Sequence, residues 1–175
     1  LKKRKNLRII DSSNLKEKSK INYSNRFNTI LVQDSDNINF TKKNFRVVSK
    51  KKPSNELLNK LIFAFNVCRN VKSNAIVITK DYKTVGIGSG QSSRLDSCKI
   101  AIDKMKKFQK TTDDYDLLAA SDAFFPFVDG LETLVQAGVT GVIQPSGSKN
   151  DKEIIKFANQ TGTVLVFSHT RHFNH

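Results

Sequence analysis

Residues 71–96 have the sequence VKSNAIVITKDYKTVGIGSGQSSRLD, and the organisation of the whole chain can be worked out from them. Two short apolar runs, residues 75–79 and 84–87, are joined by a polar turn, which predicts a pair of strands. A helix then begins near Arg94, after Ser92 or Ser93, either of which can cap it. The stretch therefore predicts two neighbouring strands followed directly by a helix.

Polar side chains gather where these strands end, and that position suits a binding site. Asn74 precedes the first strand, and Arg94 follows the second. The Gly-x-Gly-x-Gly segment 86–90 would let the backbone approach a ligand, and free N–H groups at the helix start favour anions. Open α/β sheets bind ligands at such strand ends. An ordinary strand-to-helix turn is the alternative, because the Rossmann spacing is not met and no Walker lysine follows.

The rest of the sequence alternates between apolar strands and amphipathic helices. This alternation predicts an α/β fold, a three-layer α/β/α sandwich whose helices cover a mixed, mostly parallel sheet. Polar loops are predicted over 11–25 and 34–44, and an acidic linker over 111–116. The further predicted strands are 5–10, 27–33, 45–49, 117–121, 139–143 and 163–167, and the predicted helices are 54–70, 94–110, 129–137 and 151–160.

The net charge of +14 is unevenly distributed along the chain. Residues 1–60 carry 16 Lys or Arg against 5 Asp or Glu, whereas residues 61–175 carry 14 against 11. The dense clusters are residues 2–5 and 50–52. A basic nucleic-acid-binding module is one interpretation. We favour a solvated lysine-rich surface, because aromatic residues are not interleaved with the clusters as a stacking platform would require.

Length and cysteine content favour a single cytoplasmic domain. A chain of 175 residues can bury a substantial core. No apolar run reaches the roughly 18 residues that a membrane helix needs, and no signal-peptide pattern is present. Cys68 and Cys98 are isolated thiols in different predicted helices, so we expect no disulfide framework. Because residue 1 is Leu rather than Met, we expect that the start of the gene product is missing.

Five segments carry a resemblance to a known family. They are, in order, VKSNAIVITKD, TVGIGSGQSSRLDS, SDAFFPFVDG, AGVTGVIQPSGS and the terminal RHFNH. Together they resemble the C-terminal half of the formyltransferase domain in the family of bifunctional purine biosynthesis enzymes, which join AICAR transformylase to IMP cyclohydrolase. The resemblance extends from about residue 5 to residue 175. It implies a cytidine-deaminase-like fold for the main α/β unit.

The resemblance also implies substrates and contacts. The co-substrate would be 10-formyltetrahydrofolate, and its formyl group would pass to the 5-amino group of the nucleotide AICAR before ring closure to IMP. The predicted nucleotide contacts are Asn74, Arg94, Phe124 and Arg171, the last at the phosphate. The predicted folate contacts are Leu95, Asp129, Ser148 and Lys149.

The residue types at positions 74 and 94 suit the nucleotide contacts that the resemblance implies. Arg94 offers a planar fork suited to phosphate or carboxamide oxygens. Asn74 offers both a donor and an acceptor to a carboxamide. No segment matches the family's Lys-His acid–base pair, so we predict no catalytic residue in this chain and expect it to supply ligand-binding walls.

Three histidines, His169, His172 and His175, recur at the end of the chain. A zinc site would need a fourth ligand, and neither cysteine has metal-ligand spacing. The deaminase signature, H-x-E with P-C-x-x-C, is also absent. We therefore expect ordinary surface or terminal histidines and no metal.

The resemblance finally implies a domain organisation and partners. Residues 1–175 would form the C-terminal part of the formyltransferase domain, with a basic strand-and-loop segment over 1–25 and the main α/β unit over 26–175. The cyclohydrolase domain and the first transformylase half would lie upstream. We expect a homodimer with no membrane partner. A nucleic-acid-binding module and a non-catalytic scaffold that binds neither substrate are the alternatives.

Overall fold

The structure is a computed structural model. It describes residues 20–38, 40–108, 116–172 and 174, together with residues 8, 10, 11, 13 and 14. The basic cluster 2–5 lies outside the described residues, as do most of the predicted strand 5–10 and most of the predicted linker 111–116. The chain divides into two units, residues 1–39 and residues 40–175.

The first unit contains an antiparallel hairpin. Strand β1, Ile21–Arg26, pairs with strand β2, Thr29–Asp34, and Tyr23 lies opposite Val32. Strand β2 agrees with the strand predicted over 27–33. The loop predicted over 11–25 is wrong at its C-terminal end, because residues 21–25 belong to β1 and pair with β2. Their mostly polar sequence carries little strand signal without that partner. The hairpin includes residues on both sides of residue 25, the predicted end of the basic segment, and lies wholly within the first unit.

The second unit contains the remaining strands and all four helices of the described residues. A short 3-10 helix, Lys42–Asn44, precedes them. The strands are β3 (Phe45–Val47), β4 (Ile76–Lys80), β5 (Lys83–Gly88), β6 (Leu117–Ser121), β7 (Val139–Pro145) and β8 (Val164–Ser168), and the helices are α1 (Asn55–Cys68), α2 (Arg94–Phe108), α3 (Val128–Gln136) and α4 (Asp151–Gln160). Each agrees with a predicted element to within a few residues. None of the described helices is long and apolar enough to cross a bilayer.

The six strands form one mixed sheet in the order β3-β8-β7-β6-β4-β5. Only β6–β7 and β7–β8 are parallel, whereas β3–β8, β4–β6 and β4–β5 are antiparallel. The prediction of a mixed sheet is confirmed, but the prediction that it is mostly parallel is wrong. A two-residue connection between β4 and β5 forces those strands to run in opposite directions, because a parallel pair needs a long crossover.

The helices cover both faces of the sheet, which confirms the three-layer α/β/α sandwich. Alternate residues of the buried strands point to opposite faces, so that Ile76 and Ile78 join one core and Val77 joins the other. Helix α1 packs on the Val77 face through Leu61, Ala64, Phe65 and Cys68. Helices α2, α3 and α4 pack on the other face through residues such as Cys98, Met105, Leu131, Leu134, Ile154 and Ala158.

Local signals explain where the first two helices begin. The Ser54 hydroxyl accepts a hydrogen bond from Leu57 N at 3.1 Å and caps α1. Ser93, one of the two predicted caps, accepts a bond from Asp96 N at 3.4 Å at the start of α2. Because α2 begins directly after β5, it brings Arg94 to the end of the sheet where β5 finishes.

Candidate functional site

The site lies at one end of the six-stranded sheet. Strands β6, β7 and β8 finish there, and the antiparallel strand β4 starts there, since Ile76 pairs with Ser121. Strand β5 also ends at this edge, with Gly88 opposite Ile76. The polar residues before β4 and after β5 therefore come together, as predicted, and the polar residues after β6 join them.

The guanidinium of Arg94 is the centre of this polar cluster. Its Nη1 donates to the hydroxyl of Ser121 at 2.8 Å and to a carboxylate oxygen of Asp122. Its Nη2 donates to Oδ1 of Asn74 at 2.9 Å. The side chains of Arg94 and Asp122 are only 9% and 1% exposed. Arg94 is therefore a largely buried cation whose charge is balanced by a buried carboxylate.

Asn74 is held as firmly as Arg94. Its Nδ2 donates to the backbone carbonyls of Gln91 at 3.0 Å and Ser92 at 3.1 Å. The backbone carbonyl of Asn74 accepts a hydrogen bond from the Ser97 hydroxyl at 2.8 Å. The Ser73–Asn74 peptide bond is cis. Both amide hydrogens are thus used within the protein, and Oδ1 keeps one further lone pair for an additional donor.

An open cleft of about 490 Å³ lies against this cluster. The start of α2 forms one wall, and the segment between β6 and α3 forms the other. The lining residues are Asn74, Ser92, Ser93, Arg94, Leu95, Ala123, Phe124, Phe125, Pro126, Phe127, Asp129, Gly130 and Arg171. All four predicted nucleotide residues and two of the four predicted folate residues, Leu95 and Asp129, therefore share one cleft.

The aromatic run 124–127 divides between the core and the cleft. Phe125 is 1% exposed and packs in the core below the cleft, whereas Phe127 is 63% exposed. Phe124 forms part of the wall, and the guanidinium of Arg171 lies 4.5 Å from its ring centroid. This is a cation–π distance, so the flat face of Phe124 and the charge of Arg171 form one surface.

Ser148 and Lys149, the other predicted folate residues, do not line the cleft. They lie in the loop between β7 and α4, where Asp151 accepts from Ser148 N at 3.2 Å. The neighbouring Asn150 donates to the carbonyl of Pro126, which belongs to the cleft wall, at 2.6 Å. The loop is therefore tied to the rim of the cleft rather than to its interior.

The glycines of segment 86–90 do not serve the predicted approach to a ligand. A Cβ on Gly86 would meet the Ala101 carbonyl oxygen at 2.0 Å, and one on Gly88 would meet the Ser97 carbonyl oxygen at 1.9 Å. These glycines are needed because α2 packs directly on β5. None of the glycines at 86, 88 and 90 lines the cleft.

The histidines differ from expectation at one position. His172 is 1% exposed, and its ring lies 4.6 Å from the ring centroid of Phe65, so the prediction of a surface or terminal residue is wrong for it. The polar tail carries no apolar pattern that would have revealed this burial. His169 is exposed, and His175 lies outside the described residues. No group of three or more His, Cys, Asp or Glu that could hold a metal occurs among the residues described.

Sequence reasoning missed the residues that hold Arg94 in place. The sequence places Ser121 at the end of the predicted strand 117–121 and Asp122 in the segment SDAFFPFVDG, but it predicts no contact of either residue with Arg94. The available signal was a polar pair, Ser121 and Asp122, directly after the apolar run 117–120. Such a pair at a strand end faces whatever the neighbouring strands bring to the same edge.

The residues that line the cleft suit a polar, partly anionic ligand. Arg94 is charge-balanced by Asp122, whereas the described residues form no ion pair with Arg171, which is exposed. Neither histidine nor lysine occurs among the described residues that line the cleft, and Asp129 is its lining carboxylate. Binding and orientation are therefore better supported by this geometry than proton transfer.

Comparisons with known proteins agree with the resemblance in the sequence. The family model described as AICARFT/IMPCHase bienzyme matches residues 1–104. The bifunctional purine biosynthesis protein PurH of Bartonella henselae is 48% identical over 151 residues, covering 83% of this chain and 28% of the relative. PurH of Rhodospirillum rubrum is 46% identical, with 83% and 29% covered. PurH of Pelodictyon phaeoclathratiforme is 40% identical over 175 residues, with 100% and 33% covered.

A solved structure, the dCMP deaminase of cyanophage S-TIM5 in its apo form, was also matched. It has a TM-score of 0.40 and 17% identity, covering 65% of this chain and 98% of that chain. At this TM-score and identity, the cytidine-deaminase-like fold stays a prediction. The chain spans about a third or less of the length of its curated relatives. The family match, which covers more than half of the chain, is sufficient to conclude that this chain belongs to the AICARFT/IMPCHase bienzyme family.

Proposed function

We propose that this chain is the C-terminal half of an AICAR formyltransferase domain and takes part in purine biosynthesis. The reaction of the complete enzyme transfers the formyl group of 10-formyltetrahydrofolate to the 5-amino group of AICAR, and ring closure then gives IMP. The observation that carries the proposal is the buried Arg94 guanidinium, held by Asn74, Ser121 and Asp122 at the edge of a cleft. This half positions both substrates.

The two arginines would recognise different parts of the nucleotide. Arg94 is neutralised by Asp122, so it suits an uncharged acceptor such as a carboxamide oxygen, and the remaining lone pair on Asn74 Oδ1 suits an amide N–H. Arg171 has no ion-pair partner among the described residues and suits the phosphate. The ring of Phe124, which lies beside Arg171 in the cleft wall, offers a surface for the imidazole.

The folate would occupy the outer part of the same cleft. Leu95 and the exposed Phe127 supply apolar surface, and Asp129 supplies a carboxylate that can accept hydrogen bonds. Ser148 and Lys149 would reach it from the adjoining loop, which Asn150 ties to Pro126. We further propose a cytoplasmic enzyme that acts as a homodimer.

Isothermal titration with AICAR monophosphate tests the proposal. It would be run on this chain alone and on the chain mixed with the non-overlapping part of a PurH relative. Arg94→Ala should weaken binding about 10- to 100-fold, because a hydrogen bond to a charged group contributes roughly 1.5–3 kcal/mol. Asn74→Ala should also weaken it. Lys99→Ala is the matched control, since Lys99 is an exposed cation on the same helix and should leave binding unchanged.

Two results would contradict the proposal. One is the absence of binding to the wild-type chain in both preparations. The other is wild-type affinity in both Arg94→Ala and Asn74→Ala.

A further inference from the structure

Asp122 makes more interactions than any role as a wall residue requires. One carboxylate oxygen accepts from Arg94 Nη1, and the other accepts from the Ser73 hydroxyl at 2.6 Å. Its backbone carbonyl accepts from His172 N at 2.9 Å, and its backbone N–H donates to the Ala75 carbonyl at 3.3 Å. The residue is 1% exposed and does not line the cleft, so it touches no ligand there.

We propose that Asp122 is a positioning residue whose carboxylate fixes the guanidinium of Arg94 in its ligand-binding orientation. This inference rests on the proposed function, because it assigns Asp122 a role in nucleotide affinity through Arg94.

The hydrogen-bond count of Arg94 shows what the carboxylate does. A guanidinium has five N–H groups. Two on Nη1 are taken by Ser121 and Asp122, and one on Nη2 is taken by Asn74. The N–H on Nε and the second on Nη2 make no hydrogen bond with the described residues. The interactions with Ser121, Asp122 and Asn74 therefore hold a side chain that lines the cleft and leave two of its donors for a ligand.

Fixing the arginine before the ligand arrives lowers the cost of binding. A free arginine carries about 2 kcal/mol of rotamer entropy, which would otherwise be lost when the ligand binds. Ser121 and Asn74 alone are neutral partners, and a charged acceptor makes the stronger hydrogen bond. Asp122 is in turn oriented by Ser73, whose backbone N–H donates to the Asn174 carbonyl at 2.9 Å.

A purely structural role is the competing explanation. A buried ion pair is weak evidence of net stability, but removal of one partner leaves an uncompensated charge and destabilises the fold. The two explanations differ in whether the effect of replacing Asp122 on nucleotide affinity depends on Arg94. If Asp122 acts through Arg94, its replacement matters for affinity only while Arg94 is present; a general loss of structure would weaken binding in any background.

A double-mutant cycle measured by titration with AICAR monophosphate separates the two. The variants are Asp122→Asn, Arg94→Lys and the double variant, in the preparation in which the wild type binds. Asp122→Asn keeps the side-chain shape and the backbone carbonyl that holds His172. We expect it to weaken binding about 10-fold alone, because small misplacement of a binding group is costly, and at most about 2-fold in the Arg94→Lys background.

Ser49→Ala is the control for stability. Ser49 is buried, and its hydroxyl donates to the Lys51 carbonyl at 2.8 Å and accepts from Leu165 N at 2.9 Å, away from the cleft. It should lower the melting temperature and leave nucleotide affinity unchanged. Should Asp122→Asn fail to fold, Ser73→Ala replaces it, with an expected loss of about 3-fold that again disappears in the Arg94→Lys background.

Equal losses in both backgrounds would overturn the proposal, as would unchanged affinity in Asp122→Asn or, where that variant does not fold, in Ser73→Ala. Failure of the wild type to bind in either preparation would instead overturn the proposed function, and this inference with it.

Discussion

Cys68 and Cys98 lie on opposite faces of the sheet, and both are fully buried free thiols. Burial raises the pKa of the Cys98 thiol to about 12, and Arg94 opposes that shift only in part. Burial also raises the pKa of the Cys68 thiol well above its ordinary value, and the negative charge of Asp122 adds to the effect. Both thiols are therefore held in the neutral form, which makes them core residues rather than nucleophiles.

These shifts predict that the folded state loses stability in alkaline solution. Above a pH of about 9 the unfolded chain releases the Cys98 proton, whereas the folded chain keeps it up to a pH of about 12. The contribution is therefore fully present below pH 9 and is lost as the pH rises toward 12, at about 1.4 kcal/mol per pH unit. Urea unfolding at several pH values should show a shallower decline for Cys98→Ala than for the wild type. Parallel declines would contradict this explanation.

At the scale of elements, the contact between β5 and α2 positions the site. Gly88 lies against the backbone of Ser97, and Gly86 lies against that of Ala101. This close approach sets where α2 begins relative to the sheet, and with it the position of Arg94. Sequence reasoning found both elements but assigned the glycines to ligand approach, because a glycine pattern alone does not tell whether a helix or a ligand comes close.

Gly88→Ala should therefore destabilise the protein, by at least about 2 kcal/mol, because the new methyl group would overlap a backbone carbonyl that cannot move aside. Chemical denaturation of the two proteins gives the difference. Thr84→Ala is the matched control, since Thr84 is an exposed residue of the same strand and should cost less than about 1 kcal/mol. Equal stability of Gly88→Ala and the control would show that α2 does not depend on this contact.

The strength of local patterns explains what the sequence could predict. Helix α1 has a clear cap at Ser54, both α1 and α4 have apolar residues at helical spacing, and the apolar strands were found within a few residues. Strand direction was not predictable for β3, because its antiparallel pairing with β8 depends on tertiary contacts with no local signal. Strand β1 was missed because its polar residues form a strand only when paired with β2.

The sequence predicted where the residues of the candidate site lie, but not all of the residues that they contact. Asn74 and Arg94 were expected to lie together because both lie at strand ends, and in the structure Arg94 Nη2 lies 2.9 Å from Asn74 Oδ1. The polar pair at the end of β6 indicates where Asp122 lies but not its partner, since its contact with Arg94 spans 28 residues and depends on the antiparallel pairing of β4 and β6. Ser148 and Lys149 lie beside the cleft rather than in it, and their folate contacts stay a prediction.

At the scale of the whole molecule, the chain has an open cleft whose described lining residues include no histidine or lysine that could transfer a proton. It spans about a third or less of its curated relatives. We therefore propose that this chain positions the substrates and that another part of the bienzyme supplies the acid–base group. Loss of a positioned acid–base group costs on the order of 10²–10⁴-fold in rate.

Formyl transfer tests this division of labour most directly. Release of tetrahydrofolate from 10-formyltetrahydrofolate in the presence of AICAR monophosphate would be followed by absorbance, for this chain alone and for its mixture with the non-overlapping part of Bartonella henselae PurH. We expect no measurable rate from the chain alone, activity in the mixture, and loss of that activity with Arg94→Ala but not with Lys99→Ala. Turnover by the chain alone, or a mixture whose rate is unaffected by Arg94→Ala, would contradict the account.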